Sequence, residues 1–151
     1  MADQPQAAVI VAHWYFQQWG HLRAADDEAR VLERLQEYQN RDRIPLMLLA
    51  MAADHVVGAA QLKIREMQMF PEREHWLGGV FVAPPYRGRG FASQLIARVV
   101  RLAQQFGVGT LHLQTERLDG GLYARLGWQP SQQVTDRGRS VLIMQRALPR
   151  T

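Results

Sequence analysis

The segment that most constrains this chain runs from Val80 to Ser93. Val80-Phe81-Val82-Ala83 continues an apolar run that begins at Leu77, and Pro84-Pro85 stops it, because proline has no N–H to give to a ladder. Arg87-Gly88-Arg89-Gly90 follows. A helix is then expected from about Ala92 to Gln105, with Leu95, Val99 and Leu102 on one face and Gly107 and Gly109 ending it. Backbone N–H groups at a helix N-terminus lack intrahelical partners and carry partial positive charge. Glycines let that backbone approach an anion closely, so this strand–turn–helix unit can cradle a phosphate. The same turn can also be a tight connection with no ligand. It is not a P-loop, because no Gly-Lys-Ser/Thr follows, and its glycines are spaced wrongly for a dinucleotide fingerprint.

The rest of the chain supplies the other elements. Residues 6–19 place Val11, Tyr15 and Trp19 on one helical face with Gly20 as the stop, although Val9 to Phe16 is also rich in strand formers. Asp26 or Asp27 can cap a second helix reaching about Gln39. Residues 46–52 and 56–64 read as a hairpin turning at Asp54-His55. Glu66 to Trp76, which contains Pro71, reads as a loop, and 77–83 as a buried strand. A strand over 110–115, a short helix from Gly120 to Leu126 and a hairpin of strands 129–135 and 140–147 turning at Arg137-Gly138 complete the chain. Strand–helix–strand order in the middle with hairpins outside predicts an α/β fold, a mixed central β-sheet flanked by helices on both faces. At 151 residues, one domain over 1–151 is expected, since two would each be short of core.

Composition removes several chemistries. Without cysteine there are no disulfides, thiolate metal sites or cysteine nucleophile, and Lys63 is the only lysine, which disfavours a Schiff-base enzyme. The five histidines have no metal-ligand spacing, so no metal is expected. The net charge of +4 comes from scattered arginines with no basic run interleaved with aromatics, so no nucleic-acid partner is expected. The pair Arg87 and Arg89 is different: flanking glycines, it can meet a phosphorylated cofactor. No apolar run approaches the roughly 18 residues of a membrane span, and Met1 to Pro5 lacks the basic start of a signal peptide, so a cytoplasmic protein without membrane partners is expected.

Two motifs carry a resemblance. Arg87, Gly90 and Ala92 in R-x-x-G-x-A order, preceded by Val82, Pro84 and Tyr86, resemble the acetyl-CoA motif of the GNAT acetyltransferases. Leu122-Tyr123-Ala124-Arg125-Leu126-Gly127-Trp128, about 30 residues on, resembles the same family's aromatic helix motif. Either alone is moderately specific; both in order, with one helix and one strand between, are strongly so. The likeness covers roughly 46–148 and lacks the place of the family's first strand, so six strands are expected rather than seven. A weaker likeness, through Trp14, Trp19-Gly20, Glu66-Met67, Pro71-Glu72 and Trp76-Leu77, is to a bacterial subgroup related to a eukaryotic N-terminal acetyltransferase branch. The chain departs from it at Glu66, Phe70 and His75, all in the expected acceptor loop.

The resemblance implies an acetyl-CoA-dependent N-acetyltransferase acting on a primary amine of a small molecule or amino acid. Acetylation of a peptide or protein N-terminus and a non-catalytic acetyl-CoA-binding module are the alternatives, and a homodimer is compatible with each. It implies that backbone groups of Val80, Phe81 and Val82 face the pantetheine arm, and that Arg87, Gly88, Arg89, Gly90, Phe91 and Ala92 hold the pyrophosphate. Tyr123 would protonate or stabilise the leaving thiolate; the alternative is a core aromatic on a short amphipathic helix. A base is useful because an amine must attack unprotonated. Glu66 is the first candidate, with Glu72, Glu74 and His112 behind it and a solvated or structural role open for each. Glu72 and Trp76 are expected at the acceptor. The three carboxylates of the 66–76 loop suggest a cationic amine.

Overall fold

A computed structural model of the chain describes residues 1–23 and 25–149. Its elements in chain order are α1 (Ala8–Trp19), α2 (Glu28–Leu35), β1 (Leu46–Ala52), β2 (His55–Ile64), β3 (His75–Val82), α3 (Phe91–Gln105), β4 (Thr110–Thr115), α4 (Gly121–Arg125), β5 (Gln129–Asp136) and β6 (Arg139–Ala147). The six strands form one mixed sheet in the order β1-β2-β3-β4-β6-β5. Only β3 and β4 run parallel, joined by the α3 crossover; the other neighbours are antiparallel.

Strand alternation sends successive residues to opposite faces, and two layers of helix cover them. Leu46, Ala60, Leu62, Leu77, Leu111 and Leu113 pack on one face against Leu95, Ile96, Val99 and Ala103 of α3. Met47 and Ala59, their neighbours in sequence, turn to the other face and meet Val11, Ala12 and Tyr15 of α1 and Val31 and Leu35 of α2. Such burial contributes about 25 cal/mol per Å² of apolar surface. A third cluster, Met67, Phe70, Trp76, Val141 and Ile143, tucks the loop before β3 against β6. The edge strand β5 is mostly exposed and carries Pro130, as suits its position.

Several local expectations need correction. α1 does end at Trp19 with Gly20 as its cap, but Gly20 keeps φ −59° and the chain continues as a 3-10 turn over Gly20–Leu22. Glycine is required there by packing, since a Cβ would lie 2.5 Å from the Phe16 ring. Asp27 does cap α2, its Oδ1 accepting from Arg30 N at 2.8 Å, but the α-helix ends at Leu35 and a 3-10 turn finishes at Tyr38. The first hairpin turns at Ala53-Asp54, with Ala53 at φ 53° and His55 already in β2. Trp76 belongs to β3 rather than to the loop, paired with Lys63 on one side and His112 on the other. The Arg137-Gly138 turn has positive φ at both residues, the primed geometry that matches strand twist.

Candidate active site

The site begins with a defect in β3. Gln61 pairs with Gly78 and Ala59 with Phe81, so Gly79 and Val80 together oppose one residue of β2, a bulge. Gly79 sits at φ +58°, and a Cβ there would lie 2.5 Å from Gln61 Oε1 and 2.6 Å from Tyr15 Oη. Tyr15 of α1 donates its hydroxyl to the Gly79 carbonyl at 2.5 Å. Carbonyl and N–H point in opposite directions across a trans peptide, so this bond turns the Val80 N–H away from Tyr15. Val80 has no ladder partner in β2 or in β4.

On its other side β3 parts from β4. The two pair only at Trp76 and His112, and from there to their C-terminal ends they diverge. Into the divergence opens a cavity of about 990 Å³, walled by Leu77 to Val80 of β3, Gln114 and Thr115 of β4, Tyr123 of α4, and Tyr15 and Trp19 of α1. α4 is a single turn fixed by its ends. Asp119 Oδ1 accepts from Gly121 N at 2.9 Å, and Trp128 N bonds back to the Tyr123 carbonyl at 3.0 Å. The Trp128 ring meets Tyr123 edge-on at 6.2 Å between centroids. Burial, and then the charge of Glu66, push the Tyr123 hydroxyl up to about 12. It is a neutral donor throughout the physiological range.

Beyond β3 lies the glycine turn. Gly90 caps α3 at φ +82°, no side chain caps the helix and its first turn holds no acidic residue. Gln94 N is the first to bond within it, to Gly90 O at 3.1 Å. A Cβ on Gly88 would meet nothing within 4 Å, and one on Gly90 only Gln94 Nε2 at 4.0 Å. The N–H groups of Phe91, Ala92 and Ser93 thus precede the first intrahelical bond with no side-chain cap, and the open glycine turn beside Arg87 and Arg89 fits a diphosphate. Arg87 also braces the turn: its Nε donates to Val82 O at 2.8 Å and its guanidinium lies over the Phe81 ring. The Phe81 side chain stacks on Trp14.

The candidates for the acceptor side separate. Glu66 lines the cavity, with Oε1 held by Lys63 Nζ at 2.8 Å and Oε2 buried without a hydrogen-bond partner. Burial pulls the Lys63 ammonium pKa down, but Glu66 and Tyr38 outweigh it, so the net shift is upward and the pair is ionic. Glu72 and Glu74 are exposed and outside the cavity wall. Trp76 is fully buried, donating to Arg73 O at 2.6 Å, and does not reach the cavity. His112 packs against Trp76, its pKa lowered by burial and by Arg73, and also lies off the wall. The 66–76 loop folds inward around its own apolar residues, which is why its later members miss the site.

The wall is cationic rather than acidic. Arg23, Arg34, Lys63, Arg65, Arg117, Arg137 and Arg139 face four carboxylates, Asp26, Glu66, Glu116 and Asp136. Tyr15, Gln61, Gln114 and these arginines were not expected at the site from sequence, where the pair Arg137 and Arg139 reads as solvated surface charge. The one available signal was Gly78-Gly79 inside a strand, which marks a bulge.

The sequence profile of the Acetyltransferase (GNAT) family matches residues 9–128. The chain belongs to this family. The GNAT fold is also evident in solved structures. The chain is similar to yncA from Salmonella typhimurium, solved with its cofactor acetyl-CoA, at 18% identity and a TM-score of 0.74, covering 96% of this chain and 90% of that one. A ribosomal-protein-alanine N-acetyltransferase from Brucella melitensis gives 22% identity and a TM-score of 0.73, over 98% and 96% of the two chains. An aminoglycoside 6'-acetyltransferase type Ii gives 16% and 0.75, over 100% and 96%. No curated protein matches by sequence. Among the described residues of this GNAT domain, no helix is long and apolar enough to cross a membrane, and no cluster of three or more His, Asp or Glu can hold a metal ion.

Proposed function

We propose that the protein is an N-acetyltransferase that takes the acetyl group of acetyl-CoA to a primary amine held in the cavity between β3 and β4. The observation that carries this reading is the convergence on one gap of the bulge residue Val80, which has no register partner in either neighbouring strand, and the neutral Tyr123 hydroxyl, with the open α3 N-terminus following the same strand. Acetyl-CoA, when bound, supplies an activated acetyl thioester. The first-turn N–H groups of α3 and the Gly88–Gly90 backbone hold the diphosphate, with Arg87 and Arg89 adding charge. The Val80 N–H, aimed by Tyr15, donates to the oxygen that gains charge as the amine attacks. Glu66 Oε2, an unpartnered carboxylate oxygen on the same wall as Tyr123, receives an N–H of the amine and can take its proton, directly or through water.

Tyr123 faces the sulfur side. A thiol pKa is about 8.5 and Tyr123 stands at about 12. Full transfer of its proton to the thiolate is uphill by roughly 5 kcal/mol, at 1.36 kcal/mol per unit. Tyr123 therefore acts as a hydrogen-bond donor that stabilises the departing thiolate, and the proton that completes the thiol comes from solvent or from the nitrogen of the tetrahedral adduct, which loses it as the C–S bond breaks. A pure binding module has no use for such a donor, which favours the enzyme.

Thiol release from acetyl-CoA, offered a panel of small amines and a panel of peptides with free N-termini, tests the reading. Amine-dependent release is expected. Tight binding of acetyl-CoA with no release for any acceptor would support the non-catalytic module instead.

A further inference from the structure

The cavity's charges are not evenly matched. Each of its four carboxylates already touches a cation: Asp26 holds Arg34 at 2.9 Å, Glu66 holds Lys63 at 2.8 Å, and Glu116 and Asp136 share Arg139 at 3.1 and 3.8 Å. Arg23 and Arg137 remain at the mouth with no carboxylate within salt-bridge distance among the described residues. The charges of Arg34 and Arg137 both act against that of Arg23, with Asp26 and Tyr38 acting in its favour. Arg137 reaches from the β5–β6 turn to the Leu22 carbonyl at 3.4 Å, which keeps it over the opening. Further in, Arg139 Nε is buried and has no hydrogen-bond partner, although its terminal nitrogens are engaged. An unneutralised arginine pair and an unmet buried donor in one cavity call for an anion.

That anion is not the cofactor's diphosphate. The turn that fits it, Arg87 to Phe91, is absent from the cavity wall, while Arg23 and Arg137 belong to the α1–α2 connection and the last hairpin. Two buried acceptor oxygens of the wall, Glu66 Oε2 and Gln114 Oε1, have no hydrogen-bond partner, and the Glu66 charge acts on Tyr123. The cavity thus offers both kinds of group: unmet acceptors for an amine, and unpaired donors for an anion.

Resting on the transferase reading, we infer that the acceptor is a primary amine that itself carries an anion, a carboxylate or phosphate, bound between Arg23 and Arg137 with Arg139 beneath. A purely cationic polyamine is disfavoured by the same wall. The carboxylates of the 66–76 loop do not alter this, because Glu66 is neutralised and Glu72 and Glu74 face away.

Matched acceptors test it, with thiol release from acetyl-CoA as the readout: an α-amino acid against its amide for the carboxylate, and phosphoethanolamine against ethanolamine for the phosphate. In at least one pair the anionic member should show kcat/KM higher by about tenfold or more, the scale of one charge-assisted contact. Arg23→Gln with Arg137→Gln should raise the acceptor KM and erase that preference. The KM for acetyl-CoA and the turnover of the neutral member should stay as they were. Both arginines are exposed, so the double variant should fold. Pairs used equally, a preference for the neutral member, or a preference that survives the double substitution overturns the inference. Failure to acetylate any amine would instead count against the transferase reading. The anion site is then read by calorimetry with N-acetylglycine on the CoA-loaded protein: binding lost in the double variant supports it, and no binding to the parent overturns it.

Discussion

Tyr15 and Gly79, 64 residues apart in sequence, are joined by a 2.5 Å hydrogen bond from the phenol to the bulge carbonyl. Burial raises the Tyr15 pKa well above the ordinary tyrosine value, so the donor keeps its proton across the working range. The bond sets the peptide plane between Gly79 and Val80, and with it the direction of the Val80 N–H. In the proposed reaction Tyr15 is a positioning residue. Tyr15→Phe should lower kcat by about tenfold, less than the 10²–10³ seen when an oxyanion donor itself is removed. The acetyl-CoA KM should barely move. Leaving the Gly79 carbonyl unmet should also cost about 1–3 kcal/mol of stability in denaturant melts. A variant that is destabilised yet keeps its kcat would leave Tyr15 with packing alone.

The α3 N-terminus offers a test that separates fold from cofactor. Gly90 is a poor place to probe it, because its φ of +82° is strained for any side chain. Ser93 lies in the first turn, which holds no acidic residue. Ser93→Glu places a negative charge where the helix dipole favours one, worth about 0.3–1 kcal/mol to the helix. The same charge opposes a diphosphate. Melting temperature should hold or rise while acetyl-CoA affinity, measured by calorimetry, falls by at least tenfold. Equal affinity in a folded Ser93→Glu protein would remove the cradle from the account.

Glu66 has one oxygen on Lys63 and one free, so its replacement acts on both stability and rate. The Lys63 pKa is raised in the folded state; burial lowers it, and Glu66 and Tyr38 more than reverse that. The stabilisation is thus present below the ordinary lysine value of 10.5 and fades as pH climbs through the raised one. Glu66→Gln should cost about 2–3 kcal/mol at neutral pH, somewhat less than breaking a fully buried pair. If Glu66 also accepts the amine proton, the loss in kcat/KM should shrink as pH rises and free amine accumulates. A pH–rate profile parallel to the parent's would leave Glu66 as an electrostatic contact only.

The parts of this protein that local sequence determines were readable. Hydrophobic period and glycine punctuation located β1, β4, α3 and the closing hairpin to within a residue or two, and the glycine turn with its following helix pointed to an anion. What escaped depended on distant partners. Trp76 was expected to line the acceptor pocket because it ends an apparent loop, but its pairing with both Lys63 and His112 draws it into the sheet. Tyr15 looked like one more core residue on a helix face, since its hydroxyl's partner is a bulge carbonyl in another element. The cavity's positive wall comes from the α1–α2 connection, β4's end and the last hairpin, which only the folded sheet brings together. Acidic residues counted along one loop therefore gave the wrong sign for the pocket.

Tyr123 carries the central claim. Burial and Glu66 hold its hydroxyl at about 12, so it should set no alkaline limb in kcat below about pH 10, and the acid limb should follow the acceptor amine and its base. Tyr123→Phe keeps the ring against Trp128 and removes only the oxygen. The direct measurement is kcat for amine-dependent thiol release in parent and Tyr123→Phe protein, with acetyl-CoA affinity measured alongside. A fall of about 10²–10⁴-fold in kcat at unchanged affinity is the predicted result; full activity in the variant would contradict it and return Tyr123 to the core.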